Sequence, residues 1–250
     1  MNNLIVNEEE TRKFIEKVLL QLENDEVYLA VLTTRKKYCS TISESMEVVK
    51  REIIRNNDTN KTIRKLKRMS IVEGIYTDNK GNDIPVEAFA LYILPEPRSM
   101  IKGYIDFTES INKWNLENLK SKNKNLELYK KLDIKLFSSI HKSKSKSNYF
   151  IIDIDRKDES LLNYILNIIK NNERIDDTFE CGNYCKVSNV SWISETNGGY
   201  HVILNRNDVT GKAIHEIMMK NIPDVEFRKE TMTPVVGSSQ GGFVVKEYMK

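Results

Sequence analysis

The chain has 250 residues, 40% of them apolar and 30% charged, enough for a sizeable core and too apolar for a disordered polypeptide. No apolar run approaches a membrane span and no signal-peptide pattern opens the chain, so a cytoplasmic protein with no membrane contact is expected. The net charge of +3 excludes a strongly polyanionic or polycationic protein, and three cysteines, Cys39, Cys181 and Cys185, are too few and odd in number for a disulfide framework. Cys181 and Cys185 have no second Cys or His pair nearby to complete a zinc site and read as ordinary thiols.

Taken in order, residues 8–24 show the 3.6-residue apolar period of an amphipathic helix with acids leading. Residues 26–34 form a continuous apolar run and predict a buried strand. The stretch TISE at 41–44 has the form of a capping box and predicts a basic helix through Asn56, with a second helical piece at 60–69. DNKGN (78–82) is a turn, and 86–95 is a strand expected to stop at Pro95 and Pro97. Helices are predicted at 106–120 and 125–140, and the polar run HKSKSKS at 141–147 reads as a linker or mobile loop. Then come a strand (148–155), a helix (159–171), two strands around Gly198 and Gly199, a helix (210–221), and final strands in VEFRKE and GGFVVKEY.

The expected class is mixed α/β (α+β), in two halves at 1–140 and 148–250 that form one composite domain. Positive charge is clustered. Between Arg35 and Arg68 stand eleven Lys/Arg against four acids, and 113–131 and 141–147 are also Lys-rich. Such stretches suit a phosphate backbone and equally suit a solvated face.

Three stretches carry chemistry. In NYFIIDID an apolar strand runs into Asp153 and Asp155, which at i and i+2 project to the same face. Two adjacent carboxylates repel unless a positive group lies between them, and a hard divalent cation suits them. A phosphatase with an aspartyl nucleophile also uses Asp-x-Asp, but expects Thr or Val where Lys157 stands. In ISETNGGYHVILN a Gly pair precedes His201 at the start of a strand. In DVEFRKETMTPVVGSSQGG, Asp224 and Glu226 precede a loop rich in Gly and Ser, of the kind that cradles phosphate through backbone N–H groups.

In this order the three stretches resemble the motifs of the archaeo-eukaryotic primase superfamily, its primase-polymerase branch most closely. LTTRKKY (32–38) and YILPEPRSM (92–100) also look like segments of that branch, so the resemblance reaches from about residue 26 onward. It implies an N-terminal α/β half packed on a C-terminal RRM-like antiparallel sheet with helices. It implies Asp153, Asp155 and Glu226 as ligands of two Mg²⁺ or Mn²⁺ ions, with Asp224 competing for the third place. His201, Gly198, Gly199, Gly237 and Ser238 would hold the triphosphate. Arg35, Lys36 and Lys37, with Arg98 as a weaker candidate, would meet nucleotide or template phosphates.

Three departures stand out. Gly199-Tyr200-His201 replaces Ser-x-His, a Glu replaces the third Asp, and Pro or Thr stands where an Arg often precedes the last loop.

The implied activity is template-directed nucleotidyl transfer by a DNA primase or primase-polymerase of a phage or mobile element. Its expected partners are single-stranded DNA, NTPs or dNTPs and a separate helicase. A metal-dependent nuclease using the same acids, and a catalytically inactive nucleic-acid-binding replication initiator on the same fold, are the alternatives.

Overall fold

The computed structural model of the chain describes residues 2–19, 21–40, 46–55, 57–78, 80–121, 126–127, 129–172, 190–207, 209, 211–228 and 231–248. These form two antiparallel sheets and six α-helices.

The first sheet is built around β1 (Glu26–Arg35), buried along its length except at Arg35. Both of its faces are covered, which is why its sequence is continuously apolar rather than alternating. One face, with Tyr28, Ala30 and Leu32, meets α1 (Glu8–Val18) and α2 (Thr59–Arg68) through Phe14, Ile15, Val18, Ile63 and Leu66. The other face, with Val27, Leu29 and Val31, meets Phe137 and Ile140 of α4 (Leu132–Lys142). Burial of each such side chain contributes about 1.5–3 kcal/mol. Asn7 starts α1 by accepting the Glu10 N–H at 3.2 Å, and Asp58 does the same for α2 with Lys61 at 3.1 Å.

Two expectations for this half fail, each for a tertiary reason. Residues 46–54 form not a helix but strand β2 (Met46–Ile54), paired antiparallel with β1. Its β-branched residues Val48, Val49, Ile53 and Ile54 suit a pleated surface, and the long partner β1 outweighs the local helical signal. Residues 41–45, the capping pattern, lie outside the described residues.

Nor does the next strand stop at the prolines: β3 (Phe89–Ser99) runs through Pro95 and Pro97. Its pairing with β1 jumps from Leu29↔Leu94 to Val27↔Arg98, so both prolines sit in a bulge where no ladder N–H is required. α3 (Met100–Lys120) follows directly, its first turn capped by the Ser99 hydroxyl, which accepts the Lys102 N–H at 3.1 Å.

The segment 141–148 is pinned in place rather than free. The Ser143 hydroxyl donates to the Ser99 carbonyl (2.6 Å), Lys144 pairs with Glu96 (3.1 Å), the Ser145 hydroxyl donates to Glu26 (2.5 Å), and Lys146 pairs with Glu23. Glu26 and Glu96 are 3% and 1% exposed, so Lys146 and Lys144 of HKSKSKS are spent on enclosed acids. Their partners lie far back in the chain, which is why the run looks like a linker.

The second sheet begins with β4 (Tyr149–Ile154) and continues through α5 (Glu159–Asn171), β5 (Val190–Glu195), β6 (Tyr200–Asn205), α6 (Gly211–Met219) and β7 (Val225–Arg228). With β11 (Lys246–Glu247) at one edge, the order is β11-β5-β6-β4-β7. The two helices cover one face, on Ile152, Ile154, Val202 and Leu204. The other face presents Tyr149, Ile151, Ile203 and Trp192 to the core that includes α1 and the first sheet, with Phe14 edge-on to Trp192 at 5.6 Å. α1, which precedes the stretch the resemblance covers, thus packs between the two sheets. The Tyr149 hydroxyl donates to the Val18 carbonyl at 2.8 Å, and burial, with the nearby Glu96 charge, pushes its pKa up to about 12.

The division at 148 is incomplete. β8 (Thr233–Pro234), β9 (Ser239–Gln240) and β10 (Phe243–Val244) return to the first sheet, and β11 then rejoins the second. Neither half closes its sheet without residues from the end of the chain.

Candidate functional site

β4 accounts for its own composition. Ile152 and Ile154 face the helices, while Tyr149 and Ile151 face the shared core. Asp153 continues the second face, one step beyond Ile151. In the antiparallel ladder Asp153 lies opposite His201 of β6 and opposite Glu226 of β7. Directly opposed residues share a face, their Cβ atoms about 4.5–5.5 Å apart. Asp153, His201 and Glu226, from three separate stretches, therefore form one row across three strands.

Each acid has a nitrogen-bearing side chain beside it. The His201 Nε2 lies 3.0 Å from Asp153 Oδ1, and its Nδ1 is buried with no hydrogen-bond partner among the described residues. The Arg228 guanidinium, two residues along the same face, binds Glu226. Lys37 Nζ approaches Asp155 Oδ1 at 4.0 Å. The openness differs along the site: the side chains of Asp153 and His201 are 19% and 12% exposed, those of Asp155 and Glu226 53% and 54%. Burial alone would raise the Asp153 pKa. The hydrogen bond from His201, with the charges of His201, Arg228 and Lys37, outweighs it and holds the carboxyl below its ordinary value.

The loop between β5 and β6 closes over the end of β4. Thr196 and Gly199 bond each other, the Thr196 N–H donating to the Gly199 carbonyl (2.8 Å) and the Gly199 N–H to the Thr196 hydroxyl (3.1 Å). A Cβ on Gly199 would lie 1.8 Å from the Ile154 carbonyl oxygen, so Gly199 is required by backbone packing against β4. Gly198 is different: a Cβ there would meet only Lys37 Nζ, at 3.5 Å. Of the glycine pair, Gly198 is the one that faces the charged end of the site.

The first sheet contributes its edge. Lys36 and Lys37 are exposed in a helical turn after β1, while the Arg35 guanidinium stacks 5.7 Å over the Tyr92 ring. From the last loop, Gln240 and Gly241 reach the Asn197 region: the Asn197 N–H donates to Gln240 Oε1 at 3.3 Å and its amide to the Gly241 carbonyl at 3.5 Å.

Gly237 and Ser238 do not join them. Gly237 has φ +80° and is packed so closely on the start of α1 that a Cβ would lie 2.1 Å from the Asn7 carbonyl oxygen. The N–H groups of Gly237 and Ser238 are already bonded to Val245 and Val235. These two residues fix the N-terminal segment to the first sheet and have no donor left for a phosphate.

Arg98 is likewise corrected, since at 1% exposure it is enclosed in the first half and cannot reach a bound polyanion at the surface. Of the basic run 35–68, Lys50 donates to the Ser70 carbonyl, while Lys61, Lys65 and Lys67 pair with Asp58, Glu52 and Glu8. Much of that charge serves the fold.

Asp224, the alternative third acid, has φ +62° immediately before β7; its carboxylate takes a hydrogen bond from Arg156 at 3.3 Å and its carbonyl takes the Asp155 N–H at 2.8 Å. It positions Asp155, whereas Glu226 stands in the row. Sequence reasoning missed Arg228, Thr196 and Asn197, and took the loop 237–242, with Gln240, for its backbone alone. Only Arg228 left a signal, its i+2 spacing from Glu226. The pair Cys181/Cys185 lies outside the described residues.

Hard oxygen donors at Asp153, Asp155 and Glu226 have the chemistry of a Mg²⁺ or Mn²⁺ site. The backbone brings them side by side, although among the described residues no three His, Cys, Asp or Glu side chains converge on one point, and each acid is turned to its own partner, His201, Arg228 or Lys37. Among the same residues no helix is long and apolar enough to cross a membrane. Comparison with protein families, curated proteins and solved structures finds no match for this chain.

Proposed function

We propose that this protein is a template-directed nucleotidyltransferase, a DNA primase or primase-polymerase, with its active centre at the row Asp153, His201 and Glu226 together with Asp155. The observation that carries this reading is the register: residues singled out in three separate stretches of sequence meet on one face of one sheet. The β-α-β-β-α-β succession of the second sheet supports it too, since this is the split βαβ arrangement of RRM-like modules.

Asp153, Asp155 and Glu226 would hold the divalent ions. When bound, two such ions lower the pKa of an attacking 3′-hydroxyl and neutralise charge on departing pyrophosphate. The chain's own residues do the rest. Arg228 binds the Glu226 carboxylate and His201 that of Asp153, and the two partners hold the acids in place. Lys37, beside Gly198, offers a mobile positive charge to a triphosphate entering over the β5–β6 loop. Lys36 and Arg35 continue that positive edge along the first sheet toward a single-stranded template.

The test is a gel assay with single-stranded DNA, labelled NTPs and dNTPs, and Mg²⁺ or Mn²⁺. The wild type is expected to make short products and an Asp153→Ala/Asp155→Ala variant none. Degradation of the template without synthesis would point to a nuclease instead.

A second reading is a nucleic-acid-binding replication initiator that does no chemistry. It is favoured by one observation, that Asp153, Asp155 and Glu226 each already have a partner side chain within the chain. It predicts DNA binding by the wild type with no product in the same assay.

A further inference from the structure

The turn between β9 and β10 stands where the two sheets meet. Gln240 pairs with Phe243 and Ser239 with Val244, so only Gly241 and Gly242 lie between the strands. Both have positive φ, +61° and +77°, as a two-residue hairpin turn that follows the strand twist requires. Gly241 has no room for a side chain: a Cβ would lie 2.5 Å from the Asn197 amide nitrogen and 2.7 Å from the Tyr38 ring.

Gln240, just before the turn, is 3% exposed and uses both ends of its amide. Its Nε2 donates to the Tyr92 hydroxyl of β3 at 3.0 Å, and its Oε1 accepts the Asn197 N–H of the β5–β6 loop at 3.3 Å. One enclosed side chain thus ties the first sheet to a loop of the second. Phe243, directly opposed to Gln240 and so on the same face of the hairpin, has Lys157 Nζ 3.8 Å from its ring centre. The hairpin therefore also meets the segment that follows Asp155.

What rests on these contacts is cationic. The Arg35 guanidinium lies over the ring of Tyr92, whose hydroxyl Gln240 holds. Lys37 Nζ lies 5.6 Å from the centre of the Tyr38 ring, and that ring packs on Gly241. Lys37 is also the side chain that a Cβ on Gly198 would meet, and Gly198 directly follows Asn197. Residues 240 and 241 thus touch the supports of both cations on one side and the glycine loop on the other.

We propose that Gln240 is a positioning residue, which sets Arg35 and Lys37 of the first sheet against the Asn197–Gly199 loop of the second and so shapes the pocket for a triphosphate. The proposal rests on the reading of the site as a nucleotidyltransferase centre. Gln240 acts through Tyr92 and Asn197. A primary amide suits the task, because it carries a donor and an acceptor on one planar group. Loss of either bond would leave a buried polar group unsatisfied, which keeps the amide in this one orientation.

Gln240→Met keeps the length of the side chain and removes both bonds, and Tyr92→Phe removes one; circular dichroism is the folding control. Hydrogen exchange of the full chain reads the tie itself. In Gln240→Met the peptide holding Asn197 should exchange about five- to tenfold faster, while β4 and β6 stay as in the wild type. Calorimetric titration reads the consequence. The Kd for dATP in the presence of Mn²⁺ should rise about five- to tenfold in Gln240→Met and less in Tyr92→Phe, while the Kd for Mn²⁺ alone stays fixed. The double variant should be no weaker than Gln240→Met, because the Tyr92 hydroxyl acts through Gln240. Unchanged exchange, wild-type dATP affinity in Gln240→Met, or an equal loss of Mn²⁺ binding would overturn the positioning role and leave the nucleotidyltransferase reading standing. A wild type that binds Mn²⁺ but no dATP would overturn that reading, and the triphosphate pocket with it.

Discussion

Two regions of this protein hold ionised groups away from bulk water, and they do so differently. Around the strap 143–147, Glu26, Glu96 and Arg98 are almost wholly enclosed, at 3%, 1% and 1% exposure. Glu26 and Glu96 are met by lysines and hydroxyls from the strap. Across the second sheet, Asp153 and His201 are mostly buried but lie beside Asp155 and Glu226, about half exposed. The strap network is enclosed at Glu26 and Glu96 and tied to backbone through the Ser99 carbonyl and the Tyr149 N–H. The acid row is open at one end, where Lys37 and Arg228, beside Asp155 and Glu226, are about half exposed. Enclosed charge holds a geometry, whereas half-open charge stays available to an incoming cation. Burial of charge alone would have marked the strap as the site; what distinguishes the row is access.

The comparison breaks first at the glycines. Gly199→Ala forces a Cβ onto the Ile154 carbonyl and should cost about 3 kcal/mol or abolish folding, while Gly198→Ala should change stability by less than about 0.5 kcal/mol; urea unfolding of the two variants separates a packing glycine from a site glycine. The next effect belongs to the strap. Lys144→Met strands the enclosed Glu96 carboxylate and should cost about 3 kcal/mol, at the low end for a broken buried pair because Ser147 and the Tyr149 N–H still donate to it. A smaller loss, under about 1 kcal/mol, would mean that the strap is as exchangeable as the row.

Acid should act on the row. The Asp153 pKa is depressed in the folded protein, so its contribution is full above the ordinary Asp value and is lost as pH falls through the lower folded value. His201→Ala removes the main cause of the depression. The stability gap between wild type and this variant should therefore be widest near neutral pH and narrow as pH falls below the ordinary Asp value, as followed by denaturant midpoints. The smallest effect is expected at Arg228→Gln. Its pair with Glu226 is half exposed, so stability should shift by less than about 0.5 kcal/mol while Mn²⁺ binding tightens, read by calorimetric titration.

Much of the second sheet was legible in the sequence. The run YFIIDI has one strand-like reading, and the i, i+2 acids fix which face they share. That Asp153, His201 and Glu226 meet in one row was not readable from spacing, because register depends on which strands pair. Local signals misled where a distant partner decided the outcome. Residues 46–54 carry a helical signal and become a strand because β1 offers a long edge. HKSKSKS has linker composition because Glu26 and Glu96, its partners, lie 44 or more residues earlier. Gly237 and Ser238 resemble a phosphate cradle, and only the docking of Asn7 and Thr11 shows what occupies it.

The measurement that bears most directly on the central claim is thermal unfolding of the full chain against Mn²⁺ concentration, beside an Asp153→Asn/Asp155→Asn variant. A ligand that binds the folded state raises its stability by RT ln(1 + [L]/Kd). The wild-type midpoint should rise with Mn²⁺ and level with chelator, and the variant's midpoint should stay flat. An equal rise in both proteins, or no rise in either, would contradict a metal site at the acid row.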